Sequence, residues 1–317
     1  MLELLAALGL GIVVGTIKIL PQKLGKLALK LSMVGVIVLI SSMGAKIGFD
    51  PELVKNLALF GWQALVLAVA AVAGSIGMVW WLDKILATAP MQSEEQKQEQ
   101  ELAELVHLDE AAQEKVSYAL TYIILGSLVL GMALGYWFIP QSAGATLSLL
   151  TDWALYVTLW AVGVDLGRSS GTLKKVWAMG WKVMIAPLGV ALGSILGAVL
   201  GGLLINLPVN EAAAVGAGFG WYSLSGVLIS QIYNVQTGTV AFLSNVLREL
   251  IAVLIVPFLA KRTSPLVAVA PGGATTMDTT LPLISAAAGT HTAVIGFVSG
   301  FCLSGMVPFL VPLLIHI

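Results

Sequence analysis

Charged residues are scarce in this 317-residue chain: Asp, Glu, Lys and Arg make up 10% of it, 58% is hydrophobic, and the mean hydropathy is +0.95. Apolar runs of about 20 residues recur, which is the length that crosses a bilayer core of roughly 30 Å. The scarcity of charge excludes an ordinary soluble protein, and the formal net charge of −1 argues against a nucleic-acid partner. The sequence therefore predicts an all-α polytopic membrane protein surrounded by lipid.

Residues that commonly support enzyme chemistry are also few. Cys302 is the only cysteine, which excludes an internal disulfide and a thiolate metal cluster. The three histidines, His107, His291 and His316, have no metal-ligand spacing, and no nucleotide-binding loop or nucleophile with its base is present. We therefore expect no enzyme activity, no cofactor and no metal. The first apolar run lacks a preceding basic region and a cleavage site, so it is interpreted as a retained span.

The first two-thirds of the chain contain an internal repeat. Apolar segments lie at about 2–19, 28–45, 57–82, 117–139, 146–166 and 177–205. A shift of 119 positions aligns Gly61-Trp62 with Gly180-Trp181 and Gly74-Ser75-Ile76 with Gly193-Ser194-Ile195, which indicates a duplication. Each copy has three spans, an odd number, so the second copy starts on the opposite side of the membrane. The predicted repeats are therefore inverted, as is typical of secondary transporters.

The last third of the chain has two Gly-rich interruptions in otherwise apolar sequence. The glycines at their predicted tips are Gly216, Gly218 and Gly220 in the first interruption, and Gly272 and Gly273 in the second. An apolar helix pattern runs between them from Phe242 to Leu259. Irregular backbone at membrane depth is tolerated only where it faces protein or a watery cavity. We therefore expect a central cavity beside these segments.

Basic residues favour a topology in which both interrupted segments turn back. With the N-terminus outside, most lysines and arginines then lie in the cytoplasm, including Lys261 and Arg262. The prediction is about eight full spans and two re-entrant hairpins, each followed by a span, with both termini outside and the tips meeting near the midplane. We expect a first three-span repeat at residues 1–86 and a cytoplasmic acidic linker at 87–116. An inverted second repeat at 117–209 and a transport core at 210–317 follow.

Two acidic residues lie deep within this transport core. Glu249 is ten or more residues from either end of its span, where an ionised side chain costs about 2.5 to 3.5 kcal/mol. A cation or proton site would explain that cost, and Asn245 lies on the same helical face. Alternatively, Glu249 pairs with Arg248 or another neighbouring residue and only holds helices together. Asp278 follows the second Gly cluster, where it is either a second cation site or a turn-stabilising residue before a helix with Pro282 in its first turn and Thr280 as its cap.

Further polar and aromatic residues adjoin these acids. Trp221, Tyr222, Ser223 and Ser225 follow the first Gly cluster and offer aromatic walls and hydroxyls, although simple packing against the opposing hairpin explains them equally well. Thr275 and Thr276 complete the candidate substrate and proton site in the second cluster. Lys46 is interpreted as an interfacial charge.

The chain resembles the lysine exporter family typified by LysO. The resemblance is most specific over roughly 210–285, in three stretches: Gly218-Phe219-Gly220-Trp221-Tyr222-Ser223-Leu224-Ser225-Gly226, Arg248-Glu249-Leu250-Ile251-Ala252, and Gly273-Ala274-Thr275-Thr276-Met277-Asp278 with Leu281-Pro282. It implies an inner-membrane exporter of L-lysine driven by inward proton flow, with acids at the positions of Glu249 and Asp278 needed for transport. One departure is Ser244-Asn245, where the family pattern has an Asn-Asp pair.

Lysine and protons are thus the expected partners. The sequence does not determine whether the protein forms a homo-oligomer. Two alternatives remain. One is an ion-coupled carrier of another small organic solute on the same scaffold, for which Arg248 is the only basic residue near the tips. The other is a channel or receptor module in which the hairpins line a passive pore or a sensing pocket.

Overall fold

The computed structural model describes residues 2–17, 22–86, 123, 126–139, 144–168 and 184–317. Within these ranges the regular structure is helical and contains no strand. The predicted linker, 87–116, lies outside the described residues. The helices are, in chain order, α1 (Leu2–Thr16), α2 (Gln22–Gly48), α3 (Pro51–Lys55), α4 (Leu57–Leu86), α5 (Gly126–Trp137), α6 (Gly144–Arg168), α7 (Ile185–Leu204), α8 (Val209–Gly216), α9 (Tyr222–Ile232), α10 (Val235–Ala260), α11 (Pro265–Val269), α12 (Leu281–Ala288) and α13 (Thr290–Ile315).

Six of the described helices contain stretches long and apolar enough to cross a membrane, namely Lys30–Gly48, Leu57–Ile85, Thr146–Val164, Ile185–Leu204, Val235–Ala260 and Thr292–Ile315. Each corresponds to a predicted span. The two other predicted spans, 2–19 and 117–139, are represented in the described residues by the shorter helices α1 and α5. The all-helical, multi-span class predicted from composition is therefore confirmed.

Helices α4 and α7 form the centre of the scaffold through glycine contacts. A Cβ atom at Gly74 would collide with the carbonyl of Gly193, and a Cβ at Gly193 would collide with the carbonyl of Gly74. Gly197 faces Ala70 and Gly189 faces Val79, so the helices run antiparallel. Small residues at a four-residue spacing allow backbones to approach in this way. The contact joins the Gly-Ser-Ile sequences that the 119-residue shift aligns.

Two equivalent helix pairs, α1 with α6 and α2 with α5, also pack through glycines. A Cβ at Gly163 of α6 would meet the Leu8 carbonyl of α1, while a Cβ at Gly44 of α2 would meet the Leu128 carbonyl of α5. Gly44 and Gly163 are themselves separated by 119 positions. The same glycine-to-carbonyl contact is thus made twice, each time between one copy of the repeat and the other.

The first Gly-rich segment turns back on itself. The chain runs along α8, turns at Gly216–Gly220, and runs back along α9. Glu211, near the start of α8, accepts hydrogen bonds from the hydroxyls of Tyr233 at 3.1 Å and Thr237 at 2.8 Å, both of which follow α9. The two ends of the segment are therefore adjacent. The second segment consists of α11, a 3₁₀ turn at Gly273–Met277 and α12, and α11 contacts α12.

One local expectation is wrong, and a second is confirmed only in part. Helix α10 begins at Val235, seven residues before the predicted Phe242, because Asn234 caps it by accepting a hydrogen bond from the Thr237 N–H at 2.7 Å. Pro282 lies in the first turn of α12 and Thr280 occupies the N-cap position, although the Thr280 side chain makes no capping hydrogen bond there. Its hydroxyl lies instead 3.3 Å from that of Thr275.

Candidate functional site

The two Gly-rich tips contact each other at the centre of the protein. The Ala274 N–H donates a hydrogen bond to the Phe219 carbonyl at 2.8 Å. The backbone is left-handed at Phe219, Gly220 and Gly273, with φ of 49°, 98° and 63°. Only glycine adopts such angles without strain, which explains two of the tip glycines. A Cβ at Gly273 would also collide with the Phe219 carbonyl, so the close approach requires a glycine there.

Asn245 of α10 fixes the first tip. Its Oδ1 accepts a hydrogen bond from the Gly220 N–H at 2.6 Å, and its Nδ2 donates to the Ala241 carbonyl at 2.8 Å and to Ser225 Oγ at 3.2 Å. Asn245 is 2% exposed. A buried amide with both ends hydrogen-bonded has a structural role, because its polar atoms are already in use. Asn245 therefore positions the tip and does not face the central space.

Arg248 connects the second tip to the scaffold. Its guanidinium is 2% exposed and donates from Nε to the Pro271 carbonyl at 3.0 Å and from Nη2 to the Ala270 carbonyl at 3.3 Å. The remaining donations go to Ser194 Oγ at 2.7 Å and Ser75 Oγ at 3.1 Å. In the described part of the chain, no carboxylate forms an ion pair with it. The alternative in which Arg248 pairs with Glu249 is therefore wrong.

A cavity of about 140 Å³ lies beside the joined tips. At roughly 10–15 Å³ for one water, it has room for a small solute. Its lining comprises Gly220, Trp221, Tyr222, Ser223, Glu249, Ala274, Thr275, Met277, Asp278, Thr279 and Ser304. The lining thus comes from both Gly-rich segments, α10 and α13, and we refer to this space as the central cavity.

The two acidic side chains face this cavity together. Glu249 is half-buried and Asp278 is exposed to the cavity, and the two carboxylates are close enough for their charges to interact. The Asp278 Oδ1 accepts a hydrogen bond from the Thr279 N–H at 2.6 Å. By contrast, Glu249 Oε2 and Thr279 Oγ1 are buried without a hydrogen-bond partner among the described residues. Two such carboxylates repel when both are ionised, so a cation or a proton between them is favoured.

The predicted site residues divide into two groups. Six of the ten line the cavity: Glu249, Asp278, Trp221, Tyr222, Ser223 and Thr275. The other four do not line the cavity and instead form hydrogen bonds within or to the two tip segments; they are Asn245, Arg248, Ser225 and Thr276. Thr276 Oγ1, for example, lies 2.7 Å from the carbonyls of both Gly273 and Gly296. Of the tip glycines only Gly220 reaches the lining.

Some residues of this region were not singled out from the sequence. Met277, Thr279 and Ser304 line the cavity, and Ser304 Oγ lies 3.6 Å from Met277 Sδ. Nothing in the apolar pattern distinguishes Ser304 from other serines. Ser75 and Ser194 are different, because their recurrence in the aligned Gly-Ser-Ile sequences is a signal that could have identified them as a pair.

Known proteins with similar sequences were found by two comparisons. The family model described as "Lysine exporter LysO" matches residues 125–315. The Escherichia coli protein named "Lysine exporter LysO" is 30% identical over 271 residues, which cover 85% of this chain and 84% of that protein. A Haemophilus influenzae protein named "Putative lysine exporter" is 26% identical over 197 residues, covering 59% of this chain and 94% of the relative. No solved structure matches the chain.

The matched region includes the central cavity and all residues that line it. With the six described helices that can cross a membrane, the relatives identify a multi-pass protein of the inner membrane. Since the family model covers more than half of the chain, and the Escherichia coli protein is similar along most of its length, the chain belongs to the LysO family of lysine exporters.

Proposed function

We propose that the protein exports L-lysine from the cytoplasm in exchange for protons, with Glu249 and Asp278 as the sites that lysine and protons occupy in turn. The observation that supports this most directly is that both carboxylates face one small cavity between the tips. Lysine has two ammonium groups and one carboxylate, so a pair of acids matches its cationic groups. Trp221 and Tyr222 provide aromatic walls for the aliphatic part of the side chain.

Proton exchange follows from the energetics of moving a cation outward. Exporting one positive charge from a cell that is negative inside costs about 2.3 kcal/mol per 100 mV. A uniporter would therefore carry lysine inward unless its cytoplasmic concentration were in large excess. A carboxylate that releases lysine outside and returns protonated uses the inward proton gradient instead.

The proposed architecture is a pair of inverted three-span repeats followed by two re-entrant hairpins, with both termini outside. The antiparallel, reciprocal contact of Gly74 with Gly193 supports inversion, since equivalent helices of inverted repeats run in opposite directions. The contacts of Glu211 with Tyr233 and Thr237 support a first hairpin that enters and leaves on one side. The side-specific effect expected below for Lys46 also tests this orientation.

The test is counterflow of labelled lysine in proteoliposomes, with arginine, ornithine and citrate as competitors. Glu249→Gln and Asp278→Asn should each reduce counterflow to background, because each removes a charge that lysine needs. Glu52→Gln is the matched control, since Glu52 is an exposed acid outside the cavity, and it should transport normally. Full counterflow in both cavity variants would remove the proposed roles. Flux that ignores a pH step would instead favour a passive channel, and citrate as the preferred substrate would favour a carrier of organic anions.

A further inference from the structure

A second cavity lies at the opposite end of α9 from the central cavity. It has a volume of about 740 Å³, and its lining includes Lys46, Asp50, Ser230, Gln231 and the first turn of α10. We call it the Lys46 cavity. The start of α9, at Tyr222 and Ser223, lines the central cavity, whereas the end of α9 lines this one. Eight residues of helix separate Ser223 from Gln231, which is roughly 12 Å at 1.5 Å per residue.

Lys46 makes one hydrogen bond in this cavity, and its acceptor is a neutral side chain. Lys46 is 8% exposed, so it is buried against neighbouring residues although it lies near the end of α2. Its Nζ donates a hydrogen bond to Gln231 Oε1 at 3.0 Å. A lysine ammonium has three donors, so this bond leaves hydrogen-bonding capacity unused. A buried ammonium with spare donors is suited to an anionic ligand.

The neighbouring polar atoms are also hydrogen-bond donors without acceptors. Because Gln231 Oε1 faces Lys46, the donor atom Nε2 is directed elsewhere, and it is buried without a partner among the described residues. Ser230 Oγ is likewise unpartnered among these residues, but it lies against Gly238 of α10 and does not face the cavity. A buried amide is normally satisfied, so the unpaired Gln231 Nε2 beside Lys46 favours an additional acceptor at this end of the cavity.

The beginning of α10 adds a third feature that favours negative charge. Asn234, Val235 and Gln236 line the cavity, and they form the cap and first turn of a 26-residue helix. The first N–H groups of a helix have no acceptor within the helix, and the helix dipole is positive at this end. Together with Lys46, this end of α10 makes the cavity suitable for a carboxylate.

Acidic residues near Lys46 add negative charge to the same region. Asp50 belongs to the lining, and the charge of Asp152 in α6 acts on Lys46. A purely anionic ligand would be repelled by these acids. A molecule that carries both a carboxylate and ammonium groups can be attracted by Lys46 and by a neighbouring acid together.

We propose that the Lys46 cavity is a second binding site for the exported amino acid, where Lys46, Gln231 and the start of α10 hold its carboxylate. This inference rests on the proposed function, since it takes lysine to be the molecule that passes. Lys46 is at the end of α2, which the proposed topology puts on the outer side. The site therefore receives lysine between the central cavity and the external medium.

The test measures lysine exchange separately at the two membrane faces, in oriented vesicles loaded with labelled lysine. Lys46→Met should raise the external KM for lysine about tenfold, the size expected for one charge-assisted hydrogen bond, and leave the internal KM unchanged. Gln231→Leu should act in the same direction, which provides a second variant if Lys46→Met folds poorly. Lys46→Arg should keep the external KM within about twofold of the wild type because it retains the charge. Glu52→Gln, on α3 and outside the lining, is the control.

Cadaverine, which is lysine without its carboxylate, distinguishes carboxylate recognition from a general loss of structure. Its inhibition constant should be the same for the wild type and for Lys46→Met. An unchanged external KM in Lys46→Met and Gln231→Leu, equal KM changes at both faces, or an equal weakening of cadaverine would overturn the second site. Those results would leave lysine export intact, whereas a wild-type protein that exchanges no lysine would overturn the proposed function itself.

Discussion

Neighbouring residues in α10 have opposite roles. Glu249 faces the central cavity, while Arg248 points away from it into the contact between scaffold and second hairpin. Because adjacent residues of an α-helix point about 100° apart, the sequence predicts that Glu249 and Arg248 do not face the same side. It does not identify the partners of Arg248, because Ser75 and Ser194 are 173 and 54 residues away along the chain. Such contacts depend on the tertiary fold.

The serine contacts of Arg248 should matter for stability. Ser75→Ala and Ser194→Ala each leave a guanidinium N–H buried and unpaired, which should lower the free energy of unfolding by about 1–3 kcal/mol. The double variant should depart from additivity, because both serines bind one group. Denaturant titration of the purified protein in detergent measures these effects.

Ser299→Ala is the matched control for these two variants. Ser299 is also fully buried, but its Oγ has no hydrogen-bond partner among the described residues. Its replacement should be neutral or slightly stabilising. If all three alanine variants lost the same stability, the Arg248 contacts would not be the cause.

Among the helices, glycine positions determine how closely the scaffold packs. Glycines recur every four positions at Gly193, Gly197 and Gly201, which is typical of a closely packed helix face, but the sequence does not identify Gly74 as the partner. Helix ends were predicted less well. The start of α10 was missed because its first turn is polar, and a hydropathy pattern detects only the apolar part of a helix. The cap at Asn234 depends on a side-chain orientation that the pattern does not contain.

Alanine in place of Gly74 should separate α4 from α7. Its Cβ would collide with the Gly193 carbonyl, and we expect a loss of about 1–3 kcal/mol as the helices move apart. Gly193→Ala should behave alike, since the contact is reciprocal. A thermal unfolding series in detergent provides the comparison.

Gly77→Ala is the control for this contact. It lies one turn from Gly74 on α4, with no atom within 4 Å of an added Cβ. Alanine should be tolerated there and even favoured by its higher helix propensity. Equal losses for Gly74→Ala and Gly77→Ala would show that helix propensity, and not the α4–α7 contact, determines the result.

For the molecule as a whole, the sequence predicts the helical class, the membrane location and the family. It also predicts that the Gly-rich tips contact each other, because two hairpins of limited length can reach only the midplane. The Lys46 cavity was not predicted, since its lining combines residues from α2, α6, α9 and α10. A charged residue near the end of an apolar run is usually interfacial, and only the packing around Lys46 reveals its burial.

The charges at the centre predict the electrical character of transport. Arg248 remains positive because a guanidinium does not lose its proton in proteins, so with Glu249 and Asp278 ionised the three groups sum to −1. One bound lysine or one bound proton brings this sum to zero. We therefore expect one-for-one exchange that moves no net charge.

Proteoliposomes clamped with valinomycin and potassium test this expectation. The final lysine gradient should be the same at 0 and at −100 mV. If a second proton were exchanged for each lysine, one net charge would move, and the gradient should shift by about 2.3 kcal/mol. Such a shift would contradict the charge sum.

The hydrogen bond between Ala274 and Phe219 joins the two tips, and it restricts how the proposed site could open first to one face of the membrane and then to the other. Two independent gates, one for each face, would have to break this bond in every cycle and expose strained backbone. If the bond persists, the paired tips move as one rigid body. The barrier to solvent would then be displaced by sliding of the surrounding helices, with the bound solute at rest relative to both tips.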